Sequence, residues 1–482
     1  MNIPTQLRTT VVILALALPA ASAAAEDWPT FRHDNGRTCL TGEKLRTPMR
    51  EAWKVKSQMP PQPAWAGPNK WDAYHGAYGL KSMRNFDPAF YVTVVGASVF
   101  YGSSVDDSAH CVDAATGKRK WVFTTDGPVR LPPTYEDGRV YFGSDDGCAY
   151  CLEAETGKFV WKYRPADDER KVPSNGKLIS TFPVRTGVLV ADGKAYFAAS
   201  LLPWRESYLC AVDAKTGSDQ GAGLFKARHN GITMQGAMLA SSDRLFVMQG
   251  RSAPLILARA DGKVLGSLGK GGRGGIYAVM TEDNKIACGF GNRTGDIYVH
   301  DARTSAQVFQ FKSAMRILMT PQLCYVYTFK PAALQAGNFL KKAAAPAEIR
   351  RLHAAYARAE ADAQALAKAV AAEKDPAKKA ELAKQADAAA KKAQAAKDAL
   401  QAAKQAAEGG GGWKIDSPPV HELMLAGDVL VVGGDDRVTA LDAKTGKELW
   451  SAPVEGKAHG LAAANGRLYV STDLGAIHCF AP

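Results

Sequence analysis

Asp113-Ala-Ala-Thr116-Gly117-Lys118-Arg-Lys-Trp121 is followed one period later by Glu153-Ala-Glu-Thr156-Gly157-Lys158-Phe-Val-Trp161. The phrase returns as Asp442-Ala-Lys-Thr445-Gly446-Lys447-Glu-Leu-Trp450. Shorter copies stand at Asp213-Ala-Lys-Thr216-Gly217 and at Asp301-Ala-Arg-Thr304, the second with Phe309 in the tryptophan place. Self-similarity at roughly 40–45 residues marks a radial array of small sheets, and it predicts a β-propeller.

Around each copy the order is constant. A short apolar run and a turn precede a stronger run, such as Val99-Phe-Tyr-Gly-Ser103, Val140-Tyr-Phe-Gly-Ser144, Val429-Leu-Val-Val-Gly433 or Leu468-Tyr-Val-Ser-Thr472. A turn rich in Asp and Gly follows, then a third run into the phrase and a fourth carrying the Trp. Runs of β-branched and aromatic residues bounded by Gly, Asp and Asn read as four antiparallel strands, A to D. In the phrase, the carboxylate suits backbone N–H groups of the turn after it, Gly supplies positive φ, and Trp buries a large face between blades. A residue that recurs in every blade is structural rather than catalytic, so Asp113, Glu153, Asp213, Asp301 and Asp442 are assigned to the turns.

Eight units are expected, with cores near 87–125, 129–163, 179–227, 232–268, 275–312, 314–415, 417–452 and 458–480; degenerate middle units leave seven open. The last unit lacks a fourth strand. Glu51-Ala-Trp53-Lys-Val-Lys56 is its expected replacement, closing the ring and removing two sheet edges. The fold class is therefore all-β, an eight-bladed propeller of four-stranded antiparallel blades.

Residues 341–408 interrupt this pattern with Ala, Lys, Glu, Gln and Asp, a helix-forming composition. Asp375-Pro376 supplies an N-cap and a first helical position. The reading is an antiparallel helical hairpin, about 346–373 and 376–407. Heptad stripes run through Leu352, Tyr356, Ala359, Ala363, Leu366 and Val370, and through Leu382, Ala386, Ala389, Ala393, Ala396 and Leu400. Alanine seams bury little area, so this coiled coil is expected to be marginal, a spacer or a partner-binding arm. The insert falls between strands C and D of the sixth unit, since Trp413-Lys-Ile resumes the blade. Strand alternation sends it out on the A–B turn face, away from segment 57–86. The domain organisation is thus a leader at 1–25, propeller at 26–340, arm at 341–408 and propeller at 409–482.

Among 482 residues, 46% are apolar, enough for a large core. Residues 1–25 have the form of a signal peptide: Arg8, an apolar run from Val11 to Leu18, Pro19, then Ala21-Ser22-Ala23-Ala24-Ala25, with cleavage after Ala23 or Ala25. The run is too short to span a bilayer, and no Cys follows to carry lipid. A periplasmic or secreted protein is expected, without a transmembrane segment. Of eight cysteines, Cys111, Cys151 and Cys479 share one third-strand position suited to a small core residue. Cys148 and Cys151 point to opposite faces of a strand. A disulfide is compatible with export, and spacing selects no pair. Of the net charge of +12, about +5 sits in the insert, with 14 Lys and Arg against 9 Asp and Glu. No nucleic-acid motif is visible.

The chain resembles the pyrroloquinoline quinone (PQQ)-repeat propellers, whose repeat carries Ala-x-Asp-x-x-Thr-Gly-x-x-x-Trp. Here the matching stretches are Cys111 to Trp121, Cys151 to Trp161 and Ala440 to Trp450; the opening Asp27-Trp28-Pro29-Thr-Phe31-Arg32-His-Asp34 resembles the mature start of this quinoprotein alcohol dehydrogenase-like superfamily. The resemblance implies one of two functions. Quinoprotein dehydrogenases hold PQQ over a Trp and Ca²⁺ among Glu, Asn and Asp; many also form a ring from adjacent cysteines. This chain has no Cys-Cys pair, and no calcium set stands out. The propeller lipoprotein of the outer-membrane β-barrel assembly machine is instead a non-catalytic scaffold, from which this chain departs by lacking the lipid-bearing Cys and by its arm.

The mouth of the central channel is the default ligand site of a propeller. Aligned first strands place Arg130, Arg185, Gln235, Arg316, His421 and His459 at similar depth. Segment 57–86 brings Trp65, Trp71, Tyr74 and Tyr78 over them. This basic, aromatic funnel suits an anionic ligand, or the arginines cap carbonyls. His110 and His478 fall at matching places of ring-adjacent blades, too few for a metal site. The sequence reading is a monomeric binding or scaffolding module with a protein partner or anionic ligand and no cofactor; the alternative is a PQQ- and Ca²⁺-dependent dehydrogenase of alcohols or sugars.

Overall fold

The structure is a computed structural model that describes residues 26–65, 85–250, 252–269, 274–275, 277–289, 295–408 and 412–482. The leader and Trp71, Tyr74 and Tyr78 lie outside the described residues. Eight four-stranded antiparallel blades are formed. Blade 1 consists of Val92–Val95, Ser98–Ser103, Ser108–Asp113 and Arg119–Thr124, each strand pairing with the next. Its second strand is buried throughout, whereas its fourth alternates and buries Trp121. That contrast is what inner and outer strands of a stacked sheet require.

The recurring phrase welds neighbouring blades. Asp113 Oδ1 accepts from Ala115 N (3.1 Å), Thr116 N (2.9 Å) and Thr116 Oγ1 (2.7 Å). Asp213, Asp301 and Asp442 repeat the pattern. Glu153, one methylene longer, takes the Thr156 hydroxyl at 2.9 Å. Trp121 donates its Nε1–H to Ala154 O of the next blade at 2.9 Å, and Trp161 repeats this on Ala214 O at 3.0 Å. Trp413 does so on Ala443 O at 2.9 Å. The indole slides beneath the neighbour's glycine: a Cβ on Gly157 would meet Trp121 at 2.7 Å. A β-bulge immediately before the tryptophan in blades 1 and 2 turns its side chain toward that neighbour.

The last blade closes as expected. Arg50–Lys56 pairs antiparallel with Ala476–Ala481, placing Trp53 opposite Cys479. Trp53 then docks on blade 1 through Ala114 O at 3.0 Å. Apolar clusters are shared by blades 1 and 2, 2 and 3, 3 and 4, 4 and 5, and 5 and 6, while one large cluster joins blades 6, 7, 8 and 1. A continuous strand, Glu448–Ala464, serves blade 7 with its first half and blade 8 with its second. The hairpin Lys171–Ser174 with Lys177–Ser180 is an addition that the repeat did not announce.

The insert forms helices α1 (Phe339–Ala372) and α2 (Pro376–Glu408). Asp375 Oδ1 caps α2 through Ala377 N at 2.8 Å and Lys378 N at 3.2 Å. α1 starts seven residues before the expected 346, because Phe339 packs edge-on against Phe311 at 5.4 Å and extends the helix down to the blade. Every residue of both heptad stripes is buried or half-buried, with Ala359 and Leu400 buried most. The blade resumes across the insertion with Ala336 opposite Trp413.

Candidate functional site

The chain entering the propeller, 26–45, seals the A–B end of the axis. It bonds to blade 1 through Trp28 and Val94, to blade 2 through Pro29 O and Tyr135 N (2.7 Å), and to blade 3 through Asn35 Nδ2 and Val190 O (2.9 Å). Blade 4 donates Ala240 N to Asn35 O (3.2 Å), and blade 5 donates Met280 N to Gly36 O (2.8 Å). Leu40–Thr41 adds a parallel rung to blade 7. Arg37 is buried and gives its N–H groups to Met238 O, Phe31 O and Asp34 O. Burial pushes its guanidinium down to about 10. Arg32 meets Glu422 at 2.5 Å and lies 4.6 Å over the Tyr277 ring.

The opposite, D–A end carries the residues expected at the mouth, and they fall into two groups. In the first, buried Asp145 lies between Arg130 Nε (2.8 Å) and Arg185 Nε and Nη2 (2.9 and 2.7 Å). Arg130 also reaches Asp87 Oδ2 (2.7 Å) and Gln62 O (2.7 Å). Burial would raise the Asp145 carboxyl, but Arg130 and Arg185 outweigh it and hold it below the usual range. Burial raises Asp87, which Arg130 offsets only in part. Trp65 is buried above them, donating Nε1–H to Gln235 Oε1 at 2.6 Å, with Arg185 5.3 Å from its ring centre.

In the second group Arg316 donates Nε–H to His421 O and Nη1–H to Met315 O (2.8 Å). The His421 and His459 rings lie 4.8 Å apart, and His421 Nε2 is 2.7 Å from Asp435 Oδ1. Trp71 is outside the described residues. The mouth therefore holds two arginines, Arg130 and Arg185, whose charges are answered by Asp87 and Asp145, and a third, Arg316, that caps backbone carbonyls. The first-strand alignment identified neither carboxylate. Asp145 stood in the Asp145-Asp146-Gly147 turn, where turn chemistry alone accounted for it. Arg32 and Arg37 were also missed; their signal was an arginine-bearing opening segment ahead of the first blade.

His110 and His478 serve separate carboxylates: His110 lies by Asp106 at 2.9 Å and His478 by Glu51 at 2.8 Å. All eight cysteines are free and buried. Cys148 packs toward blade 1 and Cys151 toward blade 3, on opposite faces of their strand. Burial pushes the Cys151 thiol up to about 12. Among the described residues no three His, Cys, Asp or Glu side chains gather as a metal site. With Arg185 on the Trp65 ring, the described residues do not fit a quinone stacked on that indole above a calcium ion.

The family described as outer membrane protein assembly factor BamB matches residues 50–220, 106–275 and 397–480. No curated protein sequence matches the chain. Among solved structures, BamB from Moraxella catarrhalis is similar at TM-score 0.50 and 10% identity, covering 90% of this chain and 100% of its own. Quinohemoprotein alcohol dehydrogenase ADHIIG from Pseudomonas putida HK5 is similar at 0.56 and 11%, covering 94% and 80%. A europium-containing methanol dehydrogenase is similar at 0.55 and 13%, covering 95% and 98%. At such identities the likeness is one of fold. No helix of the described residues is long and apolar enough to cross a membrane.

Proposed function

Because this chain belongs to the PQQ-repeat propeller family described as outer membrane protein assembly factor BamB, we propose that it is a non-catalytic binding and scaffolding module. In this reading it is exported by a cleaved leader, works in the periplasm or outside the cell, and engages a protein partner as a monomer. The observation that carries the reading is the Asp87–Arg130–Asp145–Arg185 chain beneath Trp65. Its charges balance internally, so this side of the mouth offers little net pull on a strong anion, and Arg185 stands where a planar cofactor would stack. Trp204 is 76% exposed and Leu178 60% exposed near the same end, apolar surface of the kind a protein partner covers. We read 341–408 as a unit apart from the propeller segments 26–340 and 409–482, placed to hold or space a partner on the other face.

The test adds PQQ and Ca²⁺ to the purified protein and follows dye-linked oxidation of alcohols and sugars. The expected result is neither stoichiometric quinone binding nor turnover; turnover would replace the scaffold by a dehydrogenase. Affinity capture with the full chain, a chain shortened across 341–408 and Trp204→Ala assigns the partner surface. Unchanged capture by the shortened chain would remove the arm from partner binding.

A further inference from the structure

The first described residue, Glu26, donates its backbone N–H to Glu43 Oε2 at 2.8 Å. Glu43 is buried, and its other oxygen accepts Gly466 N of blade 8 at 2.9 Å. The Glu26 carboxylate turns back onto the same loop, accepting from Gly42 N at 2.6 Å and Thr41 Oγ1 at 2.5 Å. One buried carboxylate thus holds the Glu26 nitrogen, and a second ties the same residue to the 41–42 loop. His33 lies 3.5 Å from Glu26 Oε1; among the described residues Glu43 has no ion-pair partner. A buried carboxylate without a cation is costly, and the nitrogen it already holds follows the small-x-small sequence Ala23-Ala24-Ala25.

We propose that the leader is cut between Ala25 and Glu26, and that the new α-ammonium of Glu26 is the ionic partner of Glu43, clamping the mature terminus to blade 8. The cut is a hydrolysis. The Ala25–Glu26 C–N bond breaks, the oxygen of water enters the Ala25 carboxylate, and the Glu26 nitrogen leaves as an amine that is protonated. A cut after Ala23 would leave an amide at Glu26 and put the charge two residues away from Glu43. The proposal rests on the export reading above and adds a built-in receptor for the processed end. Because 26–45 seals the axis, the clamp couples processing to closure of that end.

Export of the full 482-residue chain in a Gram-negative host, followed by N-terminal sequencing and intact mass, tests the site of cutting. A chain beginning at Glu26 supports the proposal. An exported chain beginning at Ala24 overturns it and leaves export standing; an uncut chain overturns both. The clamp is tested separately with chains released in vitro to begin at Glu26 or at Ala24, each with Glu43 and with Glu43→Gln. With Glu43, the Glu26 terminus is expected to melt several degrees higher at pH 6.5. An ammonium against a carboxylate keeps its proton above the ordinary α-amino range of about 7.7–8.0. The gain is therefore complete below that range and fades as pH rises through the folded-state value. Glu43→Gln is expected to abolish the difference between termini; an equal difference in both backgrounds would overturn the pair.

Discussion

Gly157 shows how much one position of the repeat carries. It has φ +69°, which only glycine adopts freely, and the ring of Trp121 lies where a Cβ would go. Gly138 has φ +75° with nothing within 4 Å of a built Cβ. Gly157→Ala is therefore expected to lose about 2 kcal/mol more than Gly138→Ala, since both share the backbone strain but only one displaces a packed indole. Urea unfolding of the two variants measures the difference, and equal losses would show that the indole yields freely. The histidines of the mouth make a second prediction. Burial first, then His421, Arg316 and Lys457, push the His459 imidazole down to about 2. The native residue stays neutral while the unfolded one takes a proton below about 6.5, so this contribution to stability is present above that pH and is lost as pH falls. Melting temperature is expected to drop between pH 7 and pH 5, less steeply in His459→Gln; identical slopes would remove His459 as a source. The glycine's conformation was legible in the sequence because a repeated Thr-Gly has one local cause. The indole above it was legible as burial between blades, but its contact with this glycine was not, since a sequence does not state which neighbouring residue a side chain meets.

At the scale of the element, the arm is a separable hairpin. Its two ends meet at Ala336 and Trp413, directly opposed on neighbouring strands of one blade. Replacing 341–408 by a short glycine-rich link is expected to remove most of the helical signal at 222 nm and to shift the propeller melting temperature by only a few degrees. A collapse of the propeller would show instead that blade 6 depends on the helices to hold Phe339 and Leu340, which the variant retains, against the apolar cluster it shares with blade 5. The heptad stripes and the Asp375-Pro376 break were readable because helix periodicity and capping are local. The true start of α1 was not, because the contact of Phe339 with Phe311 spans 28 residues of sequence. The hairpin at 171–180 escaped for a related reason: it breaks the repeat, and Lys177 fastens it to Val105 O of blade 1 at 2.8 Å.

At the scale of the molecule, closure depends on the strand Arg50–Lys56. Without it, Ala476–Ala481 would present an unpaired edge and Ala114 O of blade 1 would lose its indole donor. Unpaired edges invite intermolecular pairing. Trp53→Ala together with Val55→Asp is expected to aggregate, read as rising light scattering on mild warming, before bulk unfolding. A variant whose scattering stays at the wild-type level through that transition would show that the shared apolar clusters hold the ring alone. The repeated phrase, the strand pattern, the helical break and the missing last strand were sufficient in the sequence alone to determine a propeller closed by its N-terminal strand and carrying an arm; the count of eight rather than seven blades was fixed by the strand pairings. Each is a local or periodic signal, and in a propeller local units repeated in order define the whole. Only the tertiary structure decided what occupies the axis. The arginines aligned at the mouth were visible, but the neutralisation of Arg130 and Arg185 by Asp87 and Asp145 was not, nor was the sealing of the other end by 26–45. Apart from Arg130 with Asp145, which share blade 2, those pairings join residues from different blades across a common centre, and distance along the chain carries no record of proximity across a ring.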